Sequence, residues 1–171
     1  MKRILVASAL TFFGAILPAH ANVLKASYGS DMQLRGAVDY RWLGFPLYSA
    51  SLFTPMGGKF DWRKPAALQL EYDREISRQN LIKATMVELS RMEGKQADHD
   101  AISGKLVACF RDVKDGDHFV ASSQSANAVS LYFNGSKTCT LQHSNIRERF
   151  LGIWLSDNSR SPKLSRRLRG E

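Results

Sequence analysis

Apolar and polar positions change period several times along this chain, and each change marks an element. Residues 33–53 read as two long strands. Within them, Trp42-Leu43-Gly44-Phe45-Pro46-Leu47-Tyr48 is apolar at successive positions, where a strand with one wet face would alternate. The pattern predicts a strand covered on both sides, whether by helices, a loop or a ligand cavity. Pro55, Gly57, Gly58 and Pro65 make residues 54–64 a loop. Leu68, Leu70 and Tyr72 then alternate with Gln69, Glu71 and Asp73, the mark of a half-buried strand.

Over residues 77–92 the period lengthens. Ile82, Met86 and Leu89 fall at i, i+4 and i+7, predicting an amphipathic helix that Gly94 closes. A second helix is expected over 96–110, with Ile102, Leu106, Cys109 and then Val113 on its apolar side. Gly104 weakens it by about 1 kcal/mol relative to Ala. After a turn at Asp115-Gly116 and a short strand over 118–123 comes a hairpin over 128–143, turning at Asn134-Gly135. A two-residue loop sets Val129, Leu131 and Phe133 opposite Thr140, Thr138 and Ser136. A three-residue loop sets them opposite Leu141, Cys139 and Lys137, gathers the apolar residues on one face, and is the register expected. Asn145 and Glu148 have capping-box spacing ahead of a helix whose inner stripe is Ile146, Phe150, Ile153 and Trp154. Ser161-Pro162 opens a last short helix with Leu164 and Leu168 as its anchors. This order of elements predicts an α+β domain, helices on one face of a largely antiparallel sheet.

The N-terminus follows a different logic. Lys2 and Arg3 precede an uncharged apolar run over residues 4–17, Pro18 breaks it, and Ala19-His20-Ala21 offers a cleavage site. This is the layout of an export signal, and the run is too short for a bilayer span of about 20 residues. Residues 1–21 are expected to be removed, leaving a single domain over 22–171 that works in the periplasm or is secreted, with no stable membrane insertion. Removing the leader lowers the net charge from +8 to +6. Residues 160–171 then hold five cations against Glu171, so residues 22–159 carry only +2. A nucleic-acid partner, which needs a basic face on the folded body, is not expected. The basic tail is either a short solvated helix or a weak contact for an anionic envelope surface.

An oxidising compartment favours pairing the two cysteines. Cys139 faces the side of its strand that bears Leu131 and Leu141, and Cys109 lies on the inner stripe of its helix. If that helix covers that face the thiols meet in a disulfide; otherwise both are buried thiols. His99, His118 and His143 have no metal-ligand spacing, no G-x-S-x-G elbow is present, and no cofactor is called for. Glu88, on the first helix, is expected on its wet face. Arg41 and Tyr48 are the candidate site. An arginine and a phenol at the mouth of an apolar cavity suit a carboxylate or phenolate with a greasy body; the alternative is an exposed Arg41 and a core Tyr48.

The run from Arg41 to Leu52 resembles the opening strand pair of exported bacterial chalcone isomerase-like domains. Leu68-Gln69-Leu70-Glu71-Tyr72 with Arg74 and Ile76, Val113-Lys114-Asp115-Gly116-Asp117, Phe133-Asn134-Gly135, and Phe150-Leu151-Gly152-Ile153-Trp154-Leu155 with the tail from Pro162 to Gly170 follow in the same order. The resemblance implies an open-faced β-sandwich. In that superfamily some members isomerise chalcones and some bind fatty acids without catalysis. The cleft arginine falls on Arg41 and the strand tyrosine on Tyr48, and the isomerases' other polar cleft residues have no matching positions. The expected function is therefore binding of a small amphipathic, fatty-acid-like ligand. The alternatives are an isomerase or lyase acting on a phenolic or enolisable substrate, and an envelope interaction module docking through its tail.

Overall fold

The computed structural model describes residues 31–171, so the expected leader over 1–21 lies outside the described residues. Among these, six strands form one antiparallel meander in sequence order: β1 (Met32–Trp42), β2 (Phe45–Pro55), β3 (Ala66–Tyr72), β4 (His118–Ser125), β5 (Ala128–Phe133) and β6 (Ser136–Gln142). Two helices, α1 (Arg78–Glu93) and α2 (His99–Cys109), are inserted between β3 and β4. Two more, α3 (Ile146–Leu155) and α4 (Pro162–Leu168), follow β6. This is the expected α+β architecture.

The helices do not rest evenly on the sheet. Helix α2 packs on β6, α3 on β4 and β5, and α4 on β1 and β2. Helix α1 packs chiefly on α2 and α3. Its start is fixed by Ser77, whose hydroxyl accepts the Asn80 amide at 3.3 Å. Its end is Gly94, in the left-handed region at φ 73°. The residues it buries are Leu81, Thr85 and Leu89, so its inward face is turned from the Ile82–Met86 stripe the spacing suggests. Ile82 and Met86 flank that face, half-buried. Thr85 is tolerated inside because its hydroxyl donates to the Leu81 carbonyl at 2.9 Å.

The insertion is tied down at its far end. Cys109 and Cys139 are joined, their Cα atoms 5.0 Å apart, fastening the end of α2 to β6 across a separation of 30 residues. A loop of that size contributes roughly 3–4 kcal/mol in the chain-entropy account. The bond depends on the β5–β6 register, where Leu131 lies opposite Cys139 and Val129 opposite Leu141, as expected. The apex differs. A bulge follows Leu131, Tyr132 lies opposite Lys137 and Phe133 opposite Ser136. The turn is thus two residues, Asn134 and Gly135, both at positive φ. At the opposite end of α2 from the disulfide, the Arg149 guanidinium donates to both Glu93 (2.6 Å) and Asp98 (2.7 Å). His99 bonds Glu93 and His143 bonds Asp98. Hydrogen bonds from Arg149 and His143 hold the Asp98 carboxyl well below the usual carboxylate range.

Two expectations are corrected here. Asn145 precedes α3 as expected, but its own backbone is left-handed and its side chain caps nothing. Its amide instead donates to Asn127 Oδ1 at 2.8 Å, and the Arg147 amide to the Ala126 carbonyl at 3.0 Å. The basic tail, expected to attach lightly, is built in. Leu168 and Ser165 are fully buried, and the buried Arg169 donates to the Leu155 carbonyl at 2.6 Å and to Asp157 and Glu171. Arg35, from β1, donates in turn to the Arg169 and Gly170 carbonyls, both at 2.9 Å.

The end of α4 lies directly on β1 at Gly36, where an added Cβ would stand 2.5 Å from the Leu168 carbonyl oxygen and 2.7 Å from that of Arg167. Gly36→Ala should therefore cost about 1–3 kcal/mol of strain, lowering the thermal midpoint by roughly 2–12 °C. Gly104, mid-helix in α2 with open space around it, is the control: Gly104→Ala should gain about 1 kcal/mol. A Gly36→Ala protein as stable as the parent would show that α4 does not press on β1.

Candidate functional site

Because α1 lies over the sheet without settling on it, a cavity of about 750 Å³ opens between them. Leu68, Leu70, Phe119, Ala121 and Leu131 of the sheet form its floor. Leu81, Phe150, Ile153, Trp154 and Leu164 form its helical walls. That size falls within the range of roughly 300–1,000 Å³ for small-molecule sites, and so does the mainly apolar lining. A sealed, dry void of this volume would cost ~18 kcal/mol at ~24 cal/mol per Å³. That exceeds the ~5–15 kcal/mol by which domains are stable, so the space has to communicate with solvent or hold a guest.

The β1–β2 hairpin shapes the mouth. Tyr40 pairs with Tyr48, yet the next residue, Arg41, pairs with Pro46, so Leu47 is an extra residue on β2. A bulge of this kind breaks the alternation of faces. As a result Tyr40 and Arg41, and likewise Leu47 and Tyr48, all line the cavity although each pair is adjacent in sequence. Arg41 and Tyr48 are thus brought to one cavity. The run from Trp42 to Tyr48 is not the doubly covered strand its pattern predicts. Leu43 and Gly44 are the hairpin turn, and Leu43 and Phe45 project into solvent.

Three phenols stand side by side where β1, β2 and β3 meet. Tyr40 stacks on Tyr48 with centroids 4.9 Å apart, and Tyr72 meets Tyr48 edge-on at 5.9 Å. Trp154 Nε1 donates to the Tyr48 hydroxyl at 3.0 Å, a bond worth about 1 kcal/mol that leaves the phenol its own proton to give. Burial pushes the Tyr40 hydroxyl up to about 12, against a smaller opposing hydrogen bond with Ser165. Burial raises Tyr48 and Tyr72 further still. All three are neutral donors at physiological pH.

The charged groups lie among the lining residues of α1, β1 and the segment before α4. Glu88 is not on the wet face of α1; it borders the cavity with its side chain 15% exposed. Burial raises its pKa, but Arg160, at 2.7 Å, and Arg91, at 2.9 Å, outweigh that and hold it below its usual value. Arg41 and Lys83 line the same cavity, and among the described residues neither has a carboxylate partner. Arg41 donates to the Gly44 carbonyl at 3.5 Å. The mouth therefore holds two uncommitted cations, beside a third already spent on Glu88.

Sequence reasoning missed Tyr40, Tyr72, Lys83, Glu88, Trp154 and Arg160. Tyr40 and Tyr72 join Tyr48 only through cross-strand register. Glu88 had a signal: it follows Leu81 and Thr85 at i+7 and i+3, the spacing of the true inner face.

A sequence profile described as chalcone isomerase-like matches residues 9–170. The chain belongs to the chalcone isomerase-like family. A Haemophilus influenzae relative, described only as an uncharacterized protein, is 27% identical over 176 residues, spanning all of this chain and 78% of the relative. Among solved structures, a fatty-acid binding protein of Arabidopsis thaliana superposes with a TM-score of 0.64 at 10% identity, covering 84% of this chain and 89% of that one. At that identity the likeness is one of fold. It establishes for this family member the open sheet backed by helices that the sequence pattern predicts.

Proposed function

We propose that this chalcone isomerase-like chain is an exported binder of a small amphipathic anion such as a fatty acid. The apolar tail lies in the cavity under α1, and the carboxylate meets Arg41 at the mouth, with Tyr48 as a neutral donor within. The observation that carries the reading is a mainly apolar cavity lined by two cations that have no carboxylate partner among the described residues. An unpaired cation waits for an anion, and a planar guanidinium offers a carboxylate two parallel bonds. The shared fold with a protein named for fatty-acid binding agrees with this. The alternative of an enzyme is less well supported. The phenols stay protonated, and a carboxylate held by two arginines is a poor proton acceptor.

Calorimetric titration with a long-chain fatty acid tests the reading. Arg41→Ala should weaken binding by about 1.5–3 kcal/mol, the value of hydrogen bonds to charged groups. Arg41→Lys should recover part of the loss, since it supplies the charge without the fork. Stability should hardly change, because Arg41 is exposed and makes no ion pair among the described residues. Unaltered affinity in Arg41→Ala would remove Arg41 from the site.

Export is supported by the leader-like residues 1–21 and by the Cys109–Cys139 bond, which suits an oxidising compartment. N-terminal sequencing of protein recovered from the periplasm should begin at Asn22. A product that begins at Met1 and stays with the cytoplasm would contradict this.

A further inference from the structure

The tip of the β1–β2 hairpin is built against the ordinary preferences of a turn. Its first central residue, Leu43, lies in the left-handed region at φ 50°, and Gly44 follows at φ 86°. Asparagine or glycine is favoured there, because a branched apolar side chain gains no local hydrogen bond for the strain. The same chain shows the ordinary solution at the β5–β6 turn, where Asn134 and Gly135 hold the equivalent positions. Leu43 is also 82% exposed, and Phe45, two residues on, is 68% exposed. Strain and apolar exposure thus coincide on one protruding tip, a combination retained where a surface has a partner.

The position of the tip identifies that partner. Arg41 and Leu47 flank it and line the cavity mouth, and Lys83 and the half-exposed Val87 line it from α1. Apolar side chains at an apex, with unpaired cations set behind them, complement an anionic bilayer. Leucine and phenylalanine enter the acyl boundary while arginine and lysine meet the head groups. A protein partner with an apolar pocket would not need the two cations.

We propose that the Leu43–Phe45 tip docks this chain on an anionic lipid bilayer with the cavity mouth against the membrane, so that an amphiphile passes between the two without crossing water. The passage rests on the binding function proposed above; the docking does not.

Flotation of the purified protein with vesicles tests it, using phosphatidylcholine mixed with phosphatidylglycerol, and phosphatidylcholine alone. The protein should float with the mixed vesicles, and added salt should weaken this. The double variant Leu43→Asn, Phe45→Thr should float at least about tenfold less, given the apolar area removed. Its thermal midpoint should be no lower than the parent's, because asparagine suits the turn. Fatty-acid binding measured in detergent-free solution should be unchanged, since neither side chain lines the cavity. The docking is refuted if the parent does not float, if it floats equally with both vesicles, or if the variant floats as the parent does. It is also refuted if the tip instead drives a dimer that the variant dissolves. A failure of fatty-acid binding alone would overturn the carrier function and leave the docking intact.

Discussion

The helix layer is fastened to the sheet through α2, α3 and α4, while α1 stands off it on α2 and α3. The Cys109–Cys139 bond holds the last turn of α2, and at the opposite end of that helix Arg149 bridges Glu93 and Asp98. Arg147, at the start of α3, is buried and gives its guanidinium to Ser123 and to the Trp62 carbonyl. Covalent bond and ion pairs together hold α2 at both of its ends. Helix α1 rests on α2 and α3 and is tied to the segment before α4 through Glu88 and Arg160. The cavity occupies the space left between α1 and the sheet.

The charges that line the cavity have separate tasks. Arg160 and Arg91 neutralise Glu88, so that its carboxylate does not repel an incoming anion. Arg41 and Lys83 remain available. The three tyrosines supply hydroxyls that burial keeps protonated, which makes them donors and not bases. On the proposed function, such a site would recognise an acid head group by charge and hydrogen bonding and accept the tail by area alone. It would discriminate strongly by head group and weakly by chain length, since one methylene is worth only ~0.8 kcal/mol.

Elements governed by local rules were legible in the sequence. The α2 stripe of Ile102, Leu106 and Cys109 is buried as spaced, and with the Leu131–Cys139 register it leads to the disulfide. Binary patterning failed where a residue's environment overrides its class. Thr85 counts as polar but satisfies its hydroxyl on its own helix, so the face of α1 was read one residue away. Arg169 counts as charged, yet its partners Leu155, Asp157 and Glu171 take it inside. Leu43 and Phe45 count as apolar and so as buried, yet they are the most exposed part of the hairpin. Arg41 and Tyr48 both line the cavity, but the bulge at Leu47 that brings them there has no signature in composition or period.

The account stands on one guest in the cavity, acid head outward. Native mass spectrometry tests this directly on protein stripped of lipid and mixed with an equimolar long-chain fatty acid or an amine of the same chain length. The account predicts a complex of one acid with one chain and little or none with the amine, since Arg41 and Lys83 repel a cationic head. Absence of any complex, or equal binding of amine and acid, would contradict it.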